Sequence, residues 1–465
     1  MCMTSSNAPV KPMTSSNAPV KTAPVKAAVA AGPNPGSTLP AAGGLGDFLL
    51  PDAAADATAP QRCTLVGEGC KETTPEYGLI GRMKLAGHSP NAYINTHDPF
   101  CFVTLGVQGS GKSHSLSVIL ESCVLRANDD ALRLRRPMSA LVFHFDHNQR
   151  SGCEAIGVIN PSDRFRAAHV DPPTLPREKM LVLVSPSNYE QRKAFYGPDV
   201  RVEPLLFSWG QLSAKQLKCL MRINAGDNQL YVSTMLSQLR GFQRKQHIPA
   251  FDDFCAQIEQ TCSSVSQNGP LRQRLALLEA LVKESAVNQE LREVGGGDLS
   301  SLMQEEGMLV VADLTDPLLS AEEANGIFEV LLDQFRSNQV VGGTEGGKLL
   351  VLDEAHRYVS GTDTDGLSRS IVDAVRLMRH EGLRVAISTQ SPKVLAPELL
   401  ELVSLLLVHR FHSEDWFTYL KSKVPLPPGG FETIRGLATG QALVFAASHD
   451  QARILKSTLY CDFLL

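Results

Sequence analysis

Gly106-Val107-Gln108-Gly109-Ser110-Gly111-Lys112-Ser113 fills every fixed position of the phosphate-binding pattern G-x-x-x-x-G-K-[ST]. The apolar run Phe102-Val103-Thr104-Leu105 before it reads as a short buried strand, and Ser115-Leu116-Ser117-Val118-Ile119-Leu120 after it reads as a helix. A loop between those two elements has the chemistry of a phosphate cradle. Its glycines let backbone N–H groups wrap phosphates, the helix N-terminus adds positive potential, Lys112 brings a point charge, and the Ser113 hydroxyl is a ligand for Mg²⁺. Gly106, Gly109, Ser110, Gly111, Lys112, Ser113 and His114 are therefore the expected nucleotide-contacting residues. A plain glycine turn is the structural alternative, and the flanking elements argue against it.

A phosphate cradle does not say whether the nucleotide is hydrolysed, which takes a metal-holding carboxylate and a base. Lys348-Leu349-Leu350-Val351-Leu352-Asp353-Glu354 is an apolar run ending in two acids, the Walker B arrangement. Asp353 is expected in the Mg²⁺ shell, and Glu354, one residue on, polarises the attacking water. Without the cradle the same run would read as a strand and a solvated acidic turn. In Arg384-Val385-Ala386-Ile387-Ser388-Thr389-Gln390-Ser391-Pro392 the strand again ends in polar residues, and Gln390 at its tip is suited to sense the γ-phosphate or orient water. A hydrogen-bonded polar strand end is the alternative there. Asp353-Glu354-Ala355-His356 spells the box of one helicase family, but no Ser-Ala-Thr follows it and no Q-x-x-G-R stands near the C-terminus.

The whole array resembles the HerA/FtsK superfamily of hexameric DNA-translocating ATPases, and within it the HerA-like branch, over roughly residues 78 to 455. The matching pieces are the loop at 106–113, the strand Ala140-Leu141-Val142-Phe143-His144-Phe145-Asp146-His147, and a strand ending in Asp313-Leu314-Thr315. Asp353-Glu354-Ala355-His356-Arg357, an arginine-bearing helix before Ser388-Thr389-Gln390, and Thr439-Gly440-Gln441-Ala442-Leu443-Val444 complete it. That resemblance implies ATP and Mg²⁺ as ligands, a homo-oligomeric ring with the hexamer as the family's assembly, and DNA as a candidate substrate. It also implies an arginine reaching a neighbour's γ-phosphate. Arg369, Arg376 and Arg379 share one broad face of a helix predicted over Gly366 to His380, and Arg379 matches the family's finger position, with Arg376 next. A solvated basic face paired with Asp373 and Glu381 is the bland alternative. Family members often carry an N-terminal β-barrel, and about forty ordered residues before Cys101 are too few for one.

Strands alternating with helices, with motifs at strand C-termini, predict a RecA-like α/β fold: a mostly parallel sheet with helices on both faces. Ser320-Ala321-Glu322-Glu323 reads as a capping box opening the helix that leads to the Walker B strand. Residues 1–58 hold a repeated nonamer, Met-Thr-Ser-Ser-Asn-Ala-Pro-Val-Lys at 3–11 and 13–21, followed by Ala/Pro/Gly-rich sequence, a composition too poor in apolar area to offset ordering entropy. A disordered tail is expected there, then a leader at 59–97, a first core segment at 98–210, a helical insertion at 211–304 and a second core segment at 305–465. In the insertion Leu271, Leu275, Leu278 and Val282 recur at helical spacing and Gly295-Gly296-Gly297 marks the return to the core. Packing of these helices on the core is the expectation, and a partner-docking or DNA-facing lid the alternative.

At 465 residues, 43% hydrophobic and 20% charged, the chain has the composition of an ordinary globular enzyme. The longest apolar stretch, Leu399 to Val408, is broken by Glu401 and too short to span a bilayer, so no membrane association is expected. No secretory signal is read at the N-terminus, and ten cysteines without a C-x-x-C pair support neither a disulfide framework nor a zinc site. An intracellular location, cytoplasmic or nuclear, follows as the expectation. The net charge of −5 argues against a protein that coats nucleic acid, though not against a ring that needs a few basic residues in its pore. Arg133-Leu134-Arg135-Arg136 and Arg240-Gly241-Phe242-Gln243-Arg244-Lys245 are the local basic clusters. Two function classes stand: a motor ATPase that moves DNA or remodels a nucleoprotein complex, and a nucleotide-gated switch or scaffold with slow hydrolysis and no nucleic-acid substrate. Glu354, Gln390 and Arg379 favour the first; the acidic balance and the missing barrel favour the second.

Overall fold

A computed structural model describes residues 63–83, 90–166, 172–223, 230–245, 249–261, 265–294, 305–338, 347–362, 365–427, 429–447 and 459–463. The repeat tail and the Gly295-Gly296-Gly297 return lie outside the described residues. The strands, in chain order, are β1 (Leu65–Gly67), β2 (Tyr77–Met83), β3 (Asn91–Asn95), β4 (Cys101–Leu105), β5 (Ala127–Asn128), β6 (Leu132–Leu134), β7 (Ser139–His144) and β8 (Met180–Val184). They continue with β9 (Val202–Pro204), β10 (Leu309–Asp313), β11 (Lys348–Leu352), β12 (Leu383–Thr389), β13 (Leu405–His409), β14 (Gln441–Ala446) and β15 (Leu459–Phe463).

Among the described residues, strands β13-β4-β12-β11-β7-β10-β8-β9 lie side by side in that order, each parallel to the next. Every residue of β4, β7, β11 and β12 is buried, as a parallel strand covered on both faces requires. Alternate side chains go to opposite layers: Leu350 and Leu352 join one core with Phe328, Leu331, Ile371 and Val375, while Leu349 and Val351 join the other with Leu116, Ile119 and Cys123. The helix Lys112–Val124 thus covers one face, and the helices Ala321–Ser337 and Gly366–Glu381 cover the other. Helices on both faces of a parallel sheet, with the phosphate loop between β4 and its helix, make this a RecA-like P-loop NTPase fold.

Local chemistry sets the helix limits. At Ser320 both halves of the capping box form: the Glu323 N–H donates to Ser320 Oγ at 3.2 Å and the Ser320 N–H to Glu323 Oε2 at 2.8 Å. The far end of that helix is closed by buried Lys348, whose Nζ donates to the carbonyls of Phe335 at 2.9 Å and Arg336 at 3.1 Å, a cation on the negative end of the dipole. Asp365 caps Gly366–Glu381 by accepting from the Ser368 N–H, and Gly382 ends it at φ 61.

Helices Ala214–Leu220, Leu230–Lys245, Phe251–Thr261 and Val265–Leu281 follow β9. Trp209 packs at 4.8 Å from the Phe254 ring and 5.2 Å from Phe251, and Leu271, Leu275, Leu278 and Val282 share one core with Phe328. Gly326 lets the two helical layers touch, since a Cβ there would stand 2.9 Å from the Cys219 carbonyl. The leader does not stand apart from the core. β15 pairs with both β14 and β2, and β2 carries β3 and then β1, so the sheet continues as an antiparallel extension of the main layer. No helix among the described residues is long and apolar enough to cross a membrane.

Candidate functional site

All the motif residues quoted from strand ends sit on the C-terminal edge of the parallel sheet, where open α/β sheets place ligands. Because β12 lies between β4 and β11, with Thr389 opposite Leu105 and Ile387 opposite Leu352, Gln390 emerges between the phosphate loop and the two Walker B acids. Its Nε2 donates to Glu354 Oε2 at 3.1 Å. The other Glu354 oxygen stands 3.8 Å from Lys112 Nζ, and that lysine also donates to the Val107 carbonyl at 3.1 Å. Lys112 is only 3% exposed; burial lowers its pKa, opposed by the charges of Glu354 and Asp353.

The loop has the shape its glycines permit. Gly106, Gly109 and Gly111 hold φ of 157, 72 and 111, and a Cβ on Gly106 would lie 2.6 Å from Ser110 Oγ and 2.7 Å from His409 Cβ. A second segment braces it from behind: the Gly440 N–H donates to Ser110 O at 3.1 Å and Thr439 Oγ1 to Gly109 O at 3.3 Å. His409, at the end of β13, joins the two, with Nε2 3.0 Å from Ser115 Oγ and Nδ1 2.9 Å from the Gln441 carbonyl. Burial depresses its pKa to about 4, partly opposed by the Gln441 contact, so the ring is neutral at physiological pH. Nδ1–H then donates to Gln441 O and Nε2 accepts from Ser115. His114 is half-buried at the start of the helix.

Glu354 occupies left-handed backbone, φ 47 and ψ 46, an uncommon state for a residue with a side chain. That turn aims its carboxylate back at Gln390 and at His356, whose Nδ1 is 3.1 Å from Oε2. Burial pulls the His356 pKa down, with Glu354 opposing and Arg357 and Lys112 adding to it, and the Gln390 backbone N–H stands 3.4 Å from the same Nδ1. Arg357 is tied to Asp146 at 2.6 Å, so the Asp-Glu-Ala-His-Arg run stitches three strand ends together.

Asp353 is 6% exposed, with Oδ2 3.0 Å from His144 Nδ1 and Oδ1 buried with no partner. Burial alone would lower the His144 pKa, but the Asp353 hydrogen bond and charge outweigh it and raise it. Ser113, Cys153, Glu154 and Asp353 line one small cleft beside the helix Lys112–Val124. An orphan carboxylate oxygen and a hydroxyl on the same cleft are a donor set that fits Mg²⁺. Sequence reading gave no role to His144, Glu154 or His409. A strand pairing was needed to find the first: Leu352 lies opposite Phe143, which sets His144 beside Asp353.

The structure does not bring Arg379 to these residues. It is exposed in the last turn before Gly382, at the start of β12, and that strand spans seven residues, about 20 Å, to the edge that carries Gln390. Arg376 is engaged in its own chain by Glu398 and by Asp373 at 3.4 Å, while Glu381 pairs with Arg336 at 2.7 Å. Of the basic clusters, Arg133 is 3.8 Å from Glu72 and lies over the Tyr77 ring at 4.9 Å; Arg135, Arg136, Arg240 and Arg244 are exposed.

No family model and no curated protein matches the chain. Among solved structures it is similar to VirB4 of Thermoanaerobacter pseudethanolicus, at 12% identity and TM-score 0.49, over 83% of this chain and 96% of that one. The bacterial conjugative coupling protein TrwB matches at 15% identity and TM-score 0.45, over 83% of this chain and 90% of its own. The genome packaging NTPase B204 from Sulfolobus turreted icosahedral virus 2, in complex with ATP-gammaS, matches at 18% identity and TM-score 0.25, over 32% of this chain and 67% of its own.

Proposed function

We propose that this chain is an ATP-hydrolysing P-loop NTPase that works as a ring of identical subunits, translocating DNA or remodelling a nucleoprotein complex. One observation carries the hydrolytic part: Gln390 and Lys112, from two other segments, stand 3.1 and 3.8 Å from the Glu354 carboxylate. A module that only binds nucleotide has no use for a carboxylate held in left-handed backbone and aimed at a phosphate lysine. In this reading the γ-phosphate replaces Glu354 and Val107 O as the partner of Lys112. The freed Glu354 carboxylate accepts the proton of the attacking water, and the Gln390 amide, already bonded to Glu354, holds that water in line. Ser113 and Asp353 would hold Mg²⁺, which supplies neutralisation of phosphate charge.

Support for the ring is the position of Arg379. An exposed arginine about 20 Å from its own loop edge is out of reach of its own γ-phosphate and free to face a neighbouring subunit's. The switch reading keeps one specific point in its favour: the leader is built into the main sheet through β15 and, among the described residues, offers no separate barrel for assembly. ATP turnover measured with and without double-stranded DNA, alongside native mass in ATP, separates the two. Faster turnover on DNA and a closed oligomer are expected of the motor; a monomer with DNA-independent turnover would favour the switch.

A further inference from the structure

We propose that His144, Cys153 and Asp353 form a binding site for a thiophilic divalent cation such as Zn²⁺. His144 ends β7, Cys153 lies on the loop that follows, and Asp353 ends β11, yet one ligand atom of each comes within 4.8 Å of the other two. All three are buried, at 4%, 5% and 6% exposure. Tetrahedral Zn²⁺ with bonds of about 2.0 Å to N and O and 2.3 Å to S sets its ligands about 3.3 to 3.6 Å apart. The His144–Asp353 pair is already at 3.0 Å, so only the thiol has to close in, by about 1 Å.

One further atom points to a ligand. Asp353 Oδ1, the second oxygen of the same carboxylate, is buried without a hydrogen-bond partner. The hydrolytic chemistry above uses neither Cys153 nor His144. The cleft walled by Ser113, Val142, Cys153, Glu154, Val351 and Asp353 gives a cation a way in. One soft sulfur, one imidazole and one carboxylate select Zn²⁺ or Co²⁺ over Mg²⁺, which prefers oxygen alone, and three protein ligands leave a fourth position for water. Binding sends the thiol proton to solvent and changes no oxidation state. The consequence rests on the proposed function: a cation held here occupies Asp353, the carboxylate expected to hold Mg²⁺, so Zn²⁺ should inhibit ATP turnover in competition with Mg²⁺.

Cobalt titrated into the full-length, metal-free chain reads the site directly, because a thiolate ligand gives a charge-transfer band in the near ultraviolet and tetrahedral Co²⁺ gives intense visible bands. Both should saturate at one cobalt per chain. Cys153→Ser and Cys153→Ala should abolish the near-ultraviolet band, and His144→Gln should weaken cobalt binding at least about 10-fold, with all three melting like the parent in the absence of metal. No band in the parent, or a band undiminished in both Cys153 variants, overturns the proposal. Zinc inhibition that is relieved by excess Mg²⁺ in the parent and absent from Cys153→Ser supports the competition; equal inhibition of the two overturns it. A chain without ATP turnover would refute the proposed function, while the cobalt spectrum would still decide independently whether the three residues bind the cation.

Discussion

Replacing Glu354 by glycine and by alanine separates backbone strain from side-chain chemistry. Both variants lose the carboxylate, with its contacts to Gln390 at 3.1 Å, His356 at 3.1 Å and Lys112 at 3.8 Å, so that loss cancels when they are compared. What differs is the backbone at φ 47 and ψ 46. Alanine keeps a Cβ in the left-handed region, at a cost of about 1–2 kcal/mol, while glycine has no such penalty and loses about 0.5–1 kcal/mol more unfolded-state entropy. The difference leaves Glu354→Gly more stable than Glu354→Ala by about 0–1.5 kcal/mol, centred on ~0.75 kcal/mol. At an ordinary helical position the sign is the reverse. Urea unfolding of both variants, with m held common, reads the difference as a shift in midpoint. Alanine more stable than glycine, as at an ordinary helical position, would refute the strained turn and with it the mechanism by which the carboxylate is aimed.

Lys112→Ala should keep the fold, as judged by circular dichroism, and weaken binding of a fluorescent ATP analogue at least about 10-fold, because a buried charge aimed at phosphate is removed; unchanged affinity would exclude the loop as the phosphate site. His409 makes stability fall with acid: the unfolded ring protonates near 6.5 and the folded one only near 4, so between those values the unfolded state binds more protons and the fold loses up to about 3 kcal/mol of stability. His409→Gln should flatten that part of the stability profile, and an equally steep profile would place the titration elsewhere. Arg379→Ala should bind ATP and fail to hydrolyse it, and mixing it with Glu354→Gln subunits should restore some turnover by pairing an intact Glu354 with a neighbour's intact Arg379. Mixed rings that stay inactive would mean the arginine does not act between subunits.

The site was legible where chemistry and chain position coincide. Gly106 to Ser113, Asp353-Glu354 and Gln390 each follow a run whose every side chain is buried, so apolar sequence marks the strand and the polar residue after it marks the edge. The capping box at Ser320 was equally readable, because both its bonds are local. What stayed hidden depends on strand order. Nothing local says that β12 slips between β4 and β11, that β7 and the loop after it bring His144 and Cys153 to Asp353, or that β15 ties the leader to β14. The absence of a C-x-x-C pair spoke only to local ligand spacings and was silent on a His144, Cys153 and Asp353 cluster assembled across the sheet. Arg379 shows the same limit: its helix face was readable, but the edge of the sheet on which it ends was not.

Hydrolysis of γ-labelled ATP by the parent chain and by Glu354→Gln, followed in one quench-flow series with Mg²⁺, decides whether this chain is a hydrolase with Glu354 as its base. Both proteins are expected to bind MgATP, and the variant to cleave it roughly 10² to 10⁴ times more slowly, leaving intact nucleotide on the protein. Equal rates of phosphate production in the two would contradict that role.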